Sequence, residues 1–327
     1  MSDSSDLPVN VLVTAVSTVV GYGVVKSLRS ATRPVLVTAM DIYPDAVGGH
    51  WAHCFLRALP ARDPRYIDFL METIEAHQVD LVIPTIEEEL DRINQERETV
   101  LASRAAIVLN TPELIELARD KWLMHCALEE MAFPAIPTSV SDSFEEAVER
   151  LGCPFLFKPR RSWSSRGIEV ISERRRYEEL RREYADNFMV QKLVGSDAGE
   201  FTVSVFGLGE GRCLPGPALR RVLTRDGATG KAWSVDIPEL DAAVLWLTKR
   251  LKPIGPTNYQ FRLHEGEFLL LEVNPRISSA TSIRSAFGFN EAAMCIDYFL
   301  EGQPPAVSNF RSGSAIRFLE DHVRYDD

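Results

Sequence analysis

The sequence predicts an α/β protein that also contains α+β lobes, and three observations lead to this fold class. The chain has 327 residues, a length that suits roughly two or three lobes of ~100–200 residues each. In the first third, β-branched apolar runs alternate with amphipathic helical segments, which is typical of a parallel sheet. Farther along, shorter strands and helices lead to a hairpin of two long apolar strands. We therefore expect a parallel first lobe followed by mixed lobes.

Composition and charge exclude several classes of protein. Apolar residues make up 45% and charged residues 25% of the chain, so wholesale disorder is excluded. The 36 basic and 47 acidic residues give a formal net charge of −11, which disfavours nucleic acid and anionic membranes as partners. The longest apolar runs fall well below the ~18 residues that span a bilayer, and the acidic N-terminus lacks the basic segment of a signal peptide. We expect a cytoplasmic protein whose five cysteines are reduced.

The first lobe is predicted from a repeated order of strand and helix. Residues 10–15 and 34–39 are apolar β-branched runs, and residues 24–30 between them form an amphipathic helical segment. This is one βαβ unit, whose second strand leads to Asp41. The next predicted elements are a helix over 64–77, a strand over 80–84, a helix over 87–100 and a strand over 105–109. Parallel strands with right-handed crossovers make this lobe, residues 1–112, Rossmann-like.

Glycines after the first strand raise a dinucleotide-binding alternative. Gly21 and Gly23 lie where such a motif would begin its helix, and Asp41 is placed to bind a ribose. The third glycine of that fingerprint is missing, because Lys26 stands in its place. We therefore interpret this sheet edge as one that lines a site shared with the rest of the chain. An NAD(P)-binding oxidoreductase is the alternative.

Helix caps mark the middle of the chain. Thr111 before Pro112 is an N-cap with proline at the first helical position, and Ser143 with Glu146 forms a capping box. The predicted helices cover 112–118, 121–131, 143–151 and 173–184, and the predicted strands cover 154–158, 168–172, 188–194 and 200–207.

A basic loop follows the first of these strands. Lys158 ends an apolar run, and residues 159–167 combine serines and arginines before Gly167. Backbone N–H groups, hydroxyls and guanidinium groups of this kind suit a polyphosphate. An ordinary basic hairpin loop is the alternative interpretation.

A second polar segment follows at the end of the strand over 188–194. Gln191, Lys192 and Val194 lie there, and Glu200 begins the next strand. Backbone groups at this point could bind a flat base, and the carboxylate could bind ribose hydroxyls. An edge strand without a ligand is the alternative.

The C-terminal hairpin carries the strongest pattern. Glu272 and Asn274 are two residues apart on an apolar strand, so their side chains point to the same face. Oxygen ligands at this spacing suit Mg²⁺, which takes its other ligands from water and phosphates. Gln260 joins that face only if the hairpin loop has an odd number of residues. A three-residue loop over 264–266 would meet this condition.

Together these motifs resemble the ATP-grasp superfamily, and most closely its carbamoyl-phosphate-synthase-like carboxylate–amine ligases. In the order of that family, the chain contains Pro84-Thr85, Glu88-Glu89-Leu90, Asp120-Lys121, Lys158-Pro159, Gln260 and Glu272-x-Asn274-Pro275-Arg276. The resemblance spans nearly the whole chain. It implies a Rossmann-like pre-ATP-grasp lobe over 1–112, a small central lobe over 113–188 and a C-terminal lobe over 189–327. ATP would be held between the last two.

The resemblance also implies a role for each candidate residue. The ATP phosphates would contact Lys121, Lys158 and Ser165, the adenine would contact Gln191 and the backbone of Lys192 and Val194, and the ribose would contact Glu200. The Mg²⁺ ions, with Mn²⁺ as an alternative, would be held by Gln260, Glu272 and Asn274. The transferred phosphate or the substrate would contact Arg276, Arg221 and Lys231, and the acceptor would contact Ser278, Ser279 and Arg284.

The activity that the resemblance implies is an ATP-dependent ligation. A carboxylate is activated as an acylphosphate and an amine then displaces phosphate, so ADP and phosphate are released. The expected partners are a small carboxylate and an amine, with a homodimer left open. The phosphate loop departs from the family, because Trp163, Ser164 and Ser165 stand where glycines are common. A non-catalytic ATP-binding regulatory protein is therefore the second alternative.

Overall fold

The fold is built on three separate β-sheets. The structure, a computed structural model, describes residues 7–140, 143–162, 166–196, 199–225, 227–306 and 309–323. The strands are β1 (Val9–Val13), β2 (Val35–Asp41), β3 (Cys54–Arg57), β4 (Leu81–Ile83), β5 (Ala106–Ile107), β6 (Thr138–Ser139), β7 (Phe155–Pro159), β8 (Glu169–Ile171), β9 (Phe188–Lys192), β10 (Glu200–Leu208), β11 (Cys213–Leu223), β12 (Thr229–Val235), β13 (Ile254–His264), β14 (Glu267–Asn274) and β15 (Ser314–Ile316). The helices are α1 (Val19–Arg29), α2 (Tyr66–Ala76), α3 (Glu87–Gln95), α4 (Arg97–Leu101), α5 (Pro112–Arg119), α6 (Lys121–Glu130), α7 (Phe144–Leu151), α8 (Arg174–Tyr184), α9 (Pro238–Leu251), α10 (Thr281–Ala286) and α11 (Glu291–Phe299), with a 3-10 turn at Val47–Trp51.

The first sheet is parallel, which confirms the prediction from the strand–helix alternation. Its strands lie in the order β3-β2-β1-β4-β5, and all of these pairings are parallel. The chain reverses its direction of winding between β1 and β4, so a crevice forms at the carboxyl ends of these two strands. The sequence patterns do not predict β3, because its residues are only half-buried and show no alternation.

Side chains tie β1 to β4 at this crevice. The Thr85 hydroxyl donates to the Thr14 carbonyl at 2.8 Å, and the Thr14 hydroxyl donates to the Glu89 carboxylate. Glu89 is only 5% exposed, and burial raises the pKa of its carboxyl to about 7. Asp41 accepts hydrogen bonds from the backbone N–H groups of Ser17 and Tyr43, at 2.6 and 2.9 Å. Its oxygens therefore bind the loops of the lobe itself, which does not favour the dinucleotide alternative.

Helix α1 begins five residues earlier than residues 24–30 predict, and it includes both glycines. Thr18 caps it by accepting a hydrogen bond from the Gly21 N–H. A Cβ on Gly21 would lie 2.4 Å from the Ala15 carbonyl oxygen, and a Cβ on Gly23 would lie 2.9 Å from the Thr281 methyl group. The glycines thus allow close packing of the helix against its own lobe and against α10.

The single helix predicted over 87–100 is divided into α3 and α4. Glu96 between them has φ −106° and ψ 29°, outside the helical region. The Arg97 side chain then donates to the Asn110 carbonyl at 2.9 Å, and Val100 is fully buried. The break lets the chain turn toward β5, a tertiary contact that the local sequence does not reveal.

The predicted caps of α5 and α7 are confirmed. Thr111 accepts a hydrogen bond from the Leu114 N–H at 3.2 Å, and Ser143 accepts one from the Glu146 N–H, also at 3.2 Å. These bonds satisfy N–H groups that have no partner inside a helix.

The central sheet has one apolar face and one polar face. Its order is β6-β9-β7-β8, with antiparallel pairings. Phe155, Phe157 and Phe188 pack against α7 and α8, so Lys158 and Gln191 point to the other side. A domain boundary between 188 and 189 would cut β9, which pairs within this sheet. We propose that the boundary lies after β9, in the connection to β10.

The C-terminal sheet is antiparallel, in the order β14-β13-β10-β11-β12-β15. Leu240, Val244 and Leu247 of α9 pack against Tyr259 and Phe261 on its apolar face. Helices α10 and α11 contact α1, so the C-terminal lobe is anchored on the first lobe. Across the described segments, no helix is both long enough and apolar enough to cross a membrane. All five cysteines are free, as predicted.

Candidate functional site

The hairpin of β13 and β14 aligns the predicted metal ligands by a route that the sequence does not predict. His264 pairs with Glu267, so the loop has two residues, Glu265 and Gly266, both at positive φ. The predicted three-residue loop is therefore wrong. A β-bulge beyond Gln260 shifts the register by one residue, so that Gln260 lies opposite Glu272. The bulge thus places the Gln260 side chain on the same face as Glu272, as a loop with an odd number of residues would have done.

Glu272, Asn274 and Gln260 therefore share one face, but they differ in their contacts. The Gln260 oxygen accepts a hydrogen bond from Arg221 at 2.7 Å, and the Asn274 oxygen accepts one from Arg276 at 3.4 Å. Within the described part of the chain, the half-buried Glu272 carboxylate accepts no hydrogen bond and forms no ion pair. Among the described residues, the Glu272 carboxylate on this face thus has no hydrogen-bond or ion-pair partner.

A buried ion-pair network lies beside these ligands. Glu200 is 4% exposed and binds Arg221 through one oxygen, at 2.8 Å, and Arg262 through the other, at 2.7 Å. Arg221 also holds Gln260, so it positions a predicted ligand instead of facing solvent. Two arginines already bind the Glu200 carboxylate, and its contact with a ribose stays a prediction.

Lys231 is not part of this cluster. It pairs with Val222, whereas Arg221 pairs with Ala232. Neighbouring residues of a strand point to opposite faces, so Lys231 lies on the other side of the sheet, where it is exposed. The structure thus does not bring Lys231 together with Arg221, and the contact of Lys231 with phosphate or substrate stays a prediction.

Two of the three predicted acceptor residues, Ser278 and Arg284, are buried, and Ser279 is half-buried. Arg284 is fully buried and donates to the Ser278 hydroxyl at 2.7 Å and to the Asn258 oxygen at 2.8 Å. Burial lowers the pKa of its guanidinium to about 10. The Ser279 carbonyl accepts a hydrogen bond from Arg317 at 2.8 Å. These contacts hold the loop after β14 in place and do not present Arg284 to a ligand.

Lys158 faces this cluster from the central sheet. Its Nζ donates to the Gln191 oxygen at 2.5 Å, and the Gln191 amide nitrogen donates to Thr138 at 3.0 Å. Burial, followed by the charge of Lys121, lowers the pKa of Lys158 to about 8, and Glu272 offsets part of that effect. These charges act on one another across the gap between the central and C-terminal sheets.

Lys121 joins the same gap from the start of α6. Its Nζ donates to the Ser162 carbonyl at 2.5 Å, so it is tied to the basic loop. Asp120, which caps α6, forms an ion pair with Arg160 at 2.8 Å. Ser165, the predicted phosphate contact in this loop, lies outside the described residues.

A small cavity marks the predicted base site between the two sheets. Its volume is about 20 Å³, with Lys121, Gln191 and Glu272 among its lining residues, which is room for about one water molecule. The Lys192 N–H donates to the Pro137 carbonyl at 2.9 Å, so a base could use only the carbonyl of Lys192. Val194 is buried beside the same strand end. A nucleotide would need a wider gap than this.

Comparison with known proteins shows which family and which folds the chain resembles. Residues 197–322 match a family model described as ATP-grasp in the biosynthetic pathway with Ter operon. The fold is similar to that of N5-carboxyaminoimidazole synthetase from Staphylococcus aureus complexed with ADP, with a TM-score of 0.72 over 94% of this chain and 81% of that one, at 16% identity. Residues 197–322 thus match an ATP-grasp family model, and the fold of the chain is similar to that of a solved synthetase that binds ADP.

A second solved ATP-grasp structure shows the same likeness. The biotin carboxylase domain of 2-oxoglutarate carboxylase from Hydrogenobacter thermophilus, solved with MgADP and bicarbonate, has a TM-score of 0.74 over 93% of this chain and 73% of that one, at 14% identity. At such low identity the likeness concerns the fold, and it confirms the ATP-grasp fold class predicted from the sequence.

Curated relatives match over shorter stretches. The carbamoyl phosphate synthase large chain of Thermomicrobium roseum is 29% identical over 201 residues, which cover 54% of this chain and 18% of that one. A formate-dependent phosphoribosylglycinamide formyltransferase from Burkholderia cenocepacia is 31% identical over 141 residues, 42% of this chain and 33% of that one. The chain thus spans only a third or less of the length of these two relatives.

The face that carries Gln260, Glu272 and Asn274 suits a magnesium ion by its chemistry. No cluster of three or more histidine, cysteine, aspartate or glutamate residues that could hold a metal occurs among the residues described. Glu272 with the amide oxygens of Gln260 and Asn274 is instead an oxygen-only set. Mg²⁺ is commonly held by one or two carboxylates together with substrate phosphates, so the set fits this ion.

Two residues of the site are missed by the sequence analysis. Arg262 is two residues from Gln260 and shares its face, so extending the same parity argument would have found it. Glu87 contacts Arg276 across the lobes, and its place beside the Glu88-Glu89-Leu90 motif is the signal that could have indicated it.

Proposed function

We propose that this protein is an ATP-dependent ligase that activates a small carboxylate as an acylphosphate and joins it to an amine, releasing ADP and phosphate. The proposal is supported by similarity to a carbamoyl phosphate synthase and to a formate-dependent formyltransferase and by solved neighbours that hold ADP or MgADP. Because the chain spans only part of these relatives, their own substrates are not carried over to it.

The observation that carries the proposal is the Glu272 carboxylate, which has no hydrogen-bond or ion-pair partner among the described residues. It lies on one face with Gln260 and Asn274, and it acts electrostatically on Lys158 of the opposing sheet. A half-buried carboxylate without a partner is unfavourable for stability, so its presence indicates a cation that binds there. Together with opposing lysines, the arrangement suits the terminal phosphates of a nucleotide.

The side chains of this protein would divide the work of phosphoryl transfer. Lys158 and Lys121 would bind the nucleotide phosphates, and Arg276 would bind the transferred group or the acyl carboxylate. Glu272, Asn274 and Gln260 would hold Mg²⁺, which when bound neutralises charge on the phosphate oxygens. Arg221, held by Glu200, would keep Gln260 in its rotamer. The oxygen of the carboxylate would attack the γ-phosphorus, and ADP would leave with the electrons of the broken bond.

The central lobe would move when the nucleotide binds. A cavity of about 20 Å³ cannot contain an adenine base, so we propose that the central sheet swings away from the C-terminal sheet to admit it. Gln191, the Lys192 carbonyl and the Val194 N–H would then contact the base.

The products provide the experiment that tests this function. Purified protein is incubated with Mg-ATP and a panel of small carboxylic acids, formate and bicarbonate included, crossed with amines. We expect ADP and phosphate, with full turnover only when both acid and amine are present. Hydroxylamine should trap the activated acid as a hydroxamate when the amine is withheld. Release of AMP in place of ADP would contradict the acylphosphate mechanism.

A further inference from the structure

An ion pair between Glu87 and Arg276 joins the first lobe to the strand end that carries Glu272 and Asn274. The Nη2 atom of Arg276 donates to the Glu87 carboxylate and also lies 3.4 Å from the Asn274 oxygen. The Nη1 atom donates to the Ile277 carbonyl at 2.7 Å. One guanidinium group thus binds a carboxylate of the first lobe and a proposed metal ligand at the same time.

Glu87 is held firmly in its position by the first lobe. It is the first residue of α3, at the crevice between β1 and β4. Thr85 before it and Glu89 after it are both hydrogen-bonded to Thr14 at the end of β1. The Glu87 carboxylate therefore reaches Arg276 from a rigid base.

Glu87 and Arg276 differ in how well water can solvate each side chain when the ion pair breaks. The Glu87 side chain is 33% exposed, whereas the Arg276 side chain is 12% exposed, and the Nε of Arg276 is buried without a partner among the described residues. Glu87 can therefore be hydrated when it leaves. Arg276 cannot, so another anion has to take the place of the carboxylate.

We propose that Glu87 is an internal substitute for the acyl substrate: it occupies Arg276 in the resting protein, and the carboxylate of the substrate displaces it. This inference rests on the proposed function. The exchange replaces one carboxylate by another on the same guanidinium group, beside the Asn274 oxygen that is a proposed metal ligand. Glu87 is thus a positioning residue that limits ATP turnover to occasions when the acid is bound.

The experiment measures ATP hydrolysis in the absence of any acid. In that reaction water attacks the γ-phosphorus, the bond to ADP breaks, and phosphate and a proton are released. Glu87→Gln removes the competing charge and leaves Arg276 available to the γ-phosphate. Acid-independent ADP release should rise about fivefold over the wild type, equivalent to about 1 kcal/mol. Glu87→Asp, which is one methylene shorter, should act in the same direction if the first variant folds poorly.

A matched control lies on the next residue. Glu88 is exposed in the same helical turn, and Glu88→Gln should leave acid-independent hydrolysis unchanged. Calorimetric titration with Mg-ADP is run on every variant, so that loss of nucleotide binding is seen separately. If Glu87→Gln binds Mg-ADP but hydrolyses ATP no faster than the wild type, the inference is overturned. If the wild type itself binds no nucleotide, the proposed function fails, and this inference fails with it.

A double-mutant cycle tests the ion pair without any nucleotide. The free energy of unfolding is measured for Glu87→Gln, Arg276→Met and the double variant. Non-additive losses are expected, because the two side chains contact each other. Additive losses would show that the pair does not form in solution and would also overturn the inference.

Discussion

The proposed nucleotide site has two walls, the central sheet and the C-terminal sheet, and their charged side chains are paired in different ways. On the central sheet, Lys158 is buried and donates to the uncharged amide oxygen of Gln191. On the C-terminal sheet, Glu200 binds Arg221 and Arg262, each through a separate carboxylate oxygen. Among the described residues, the first wall therefore carries a positive charge on Lys158 that no carboxylate of the same sheet neutralises, whereas the second wall is a compensated network.

This difference indicates what each wall contributes. A buried lysine that lacks a carboxylate partner gains the most when an anion arrives, so the central sheet is suited to bind phosphates. A network of paired charges is costly to disturb, so the C-terminal sheet holds its oxygen ligands in place. Glu272 is the exception on the second wall, since no arginine binds it within the described segments.

The largest predicted effect is a loss of turnover when Glu272 is substituted. Glu272→Gln should lower turnover by a factor of about 100 or more, equivalent to about 3 kcal/mol in the transition state. The free energy of unfolding should not fall, because the carboxylate has no partner to lose among the described residues. Steady-state rates at saturating Mg²⁺ and urea denaturation measure the two quantities. Glu267→Gln, at an exposed position of the same strand, is the matched control, and near-normal turnover in Glu272→Gln would remove the metal assignment.

A loss of stability should follow from breaking the compensated network. Arg221→Met leaves Glu200, which is 4% exposed, with a single arginine, and the free energy of unfolding should fall by about 3 kcal/mol. Arg225→Met, at an exposed position of the adjoining loop, should change it by less than about 0.5 kcal/mol. Denaturant titration compares the two variants. Equal stability of both would mean that the pair on this wall contributes nothing.

On the central sheet, removal of the Lys158 charge should have the opposite effect on the free energy of unfolding. The pKa of Lys158 is about 8 in the folded protein and ~10.4 in the unfolded chain, so the unfolded state binds more protons between these values. Stability of the wild type should therefore rise from about pH 8 to about pH 10.5 relative to Lys158→Met. At pH 7 the variant should be more stable by about 1 kcal/mol or more. Parallel pH dependence of the two proteins would show that Lys158 is not strained by burial.

The same lysine should matter for the nucleotide. Lys158→Met should weaken ATP binding about tenfold, the effect of one charge-assisted hydrogen bond, and in the wild type affinity should fall as the pH rises above about 8. Calorimetric titration with Mg-ADP at pH 7 and 9 measures both. Unchanged affinity in the variant would assign Lys158 to structure alone.

The smallest effect is expected at Lys231. This residue is exposed and lies on the face opposite Arg221. Lys231→Met should change the free energy of unfolding by less than about 0.5 kcal/mol and should leave turnover at the wild-type level. A clear loss of activity would restore the residue to the site and would mean that this edge of the sheet contacts substrate.

Local signals in the sequence predicted a large part of this molecule. The caps at Thr111 and Ser143 are formed as expected, because they depend on residues three positions apart. The common face of Glu272 and Asn274 follows from the alternation of side chains along one strand. The strand–helix alternation predicted the parallel first sheet, since such alternation permits few other arrangements.

Other features needed contacts between distant residues. The helix break at Glu96 depends on the contact of Arg97 with Asn110. The extent of α1 depends on the close approach of α10 to Gly23. Neither partner can be identified from a local pattern, so the helix boundaries near them were misplaced.

What the sequence by itself determined is which chemical groups stand on which strands: a lysine at the end of β7, and a glutamate and an asparagine on one face of β14. What only the tertiary structure decided is how those groups are paired. A bulge set the register of Gln260, and the fold brought Arg221 to Glu200 and Arg276 to Glu87. The physical reason is range, because side-chain alternation is a property of neighbouring residues, whereas burial and charge pairing depend on residues that are far apart in the chain.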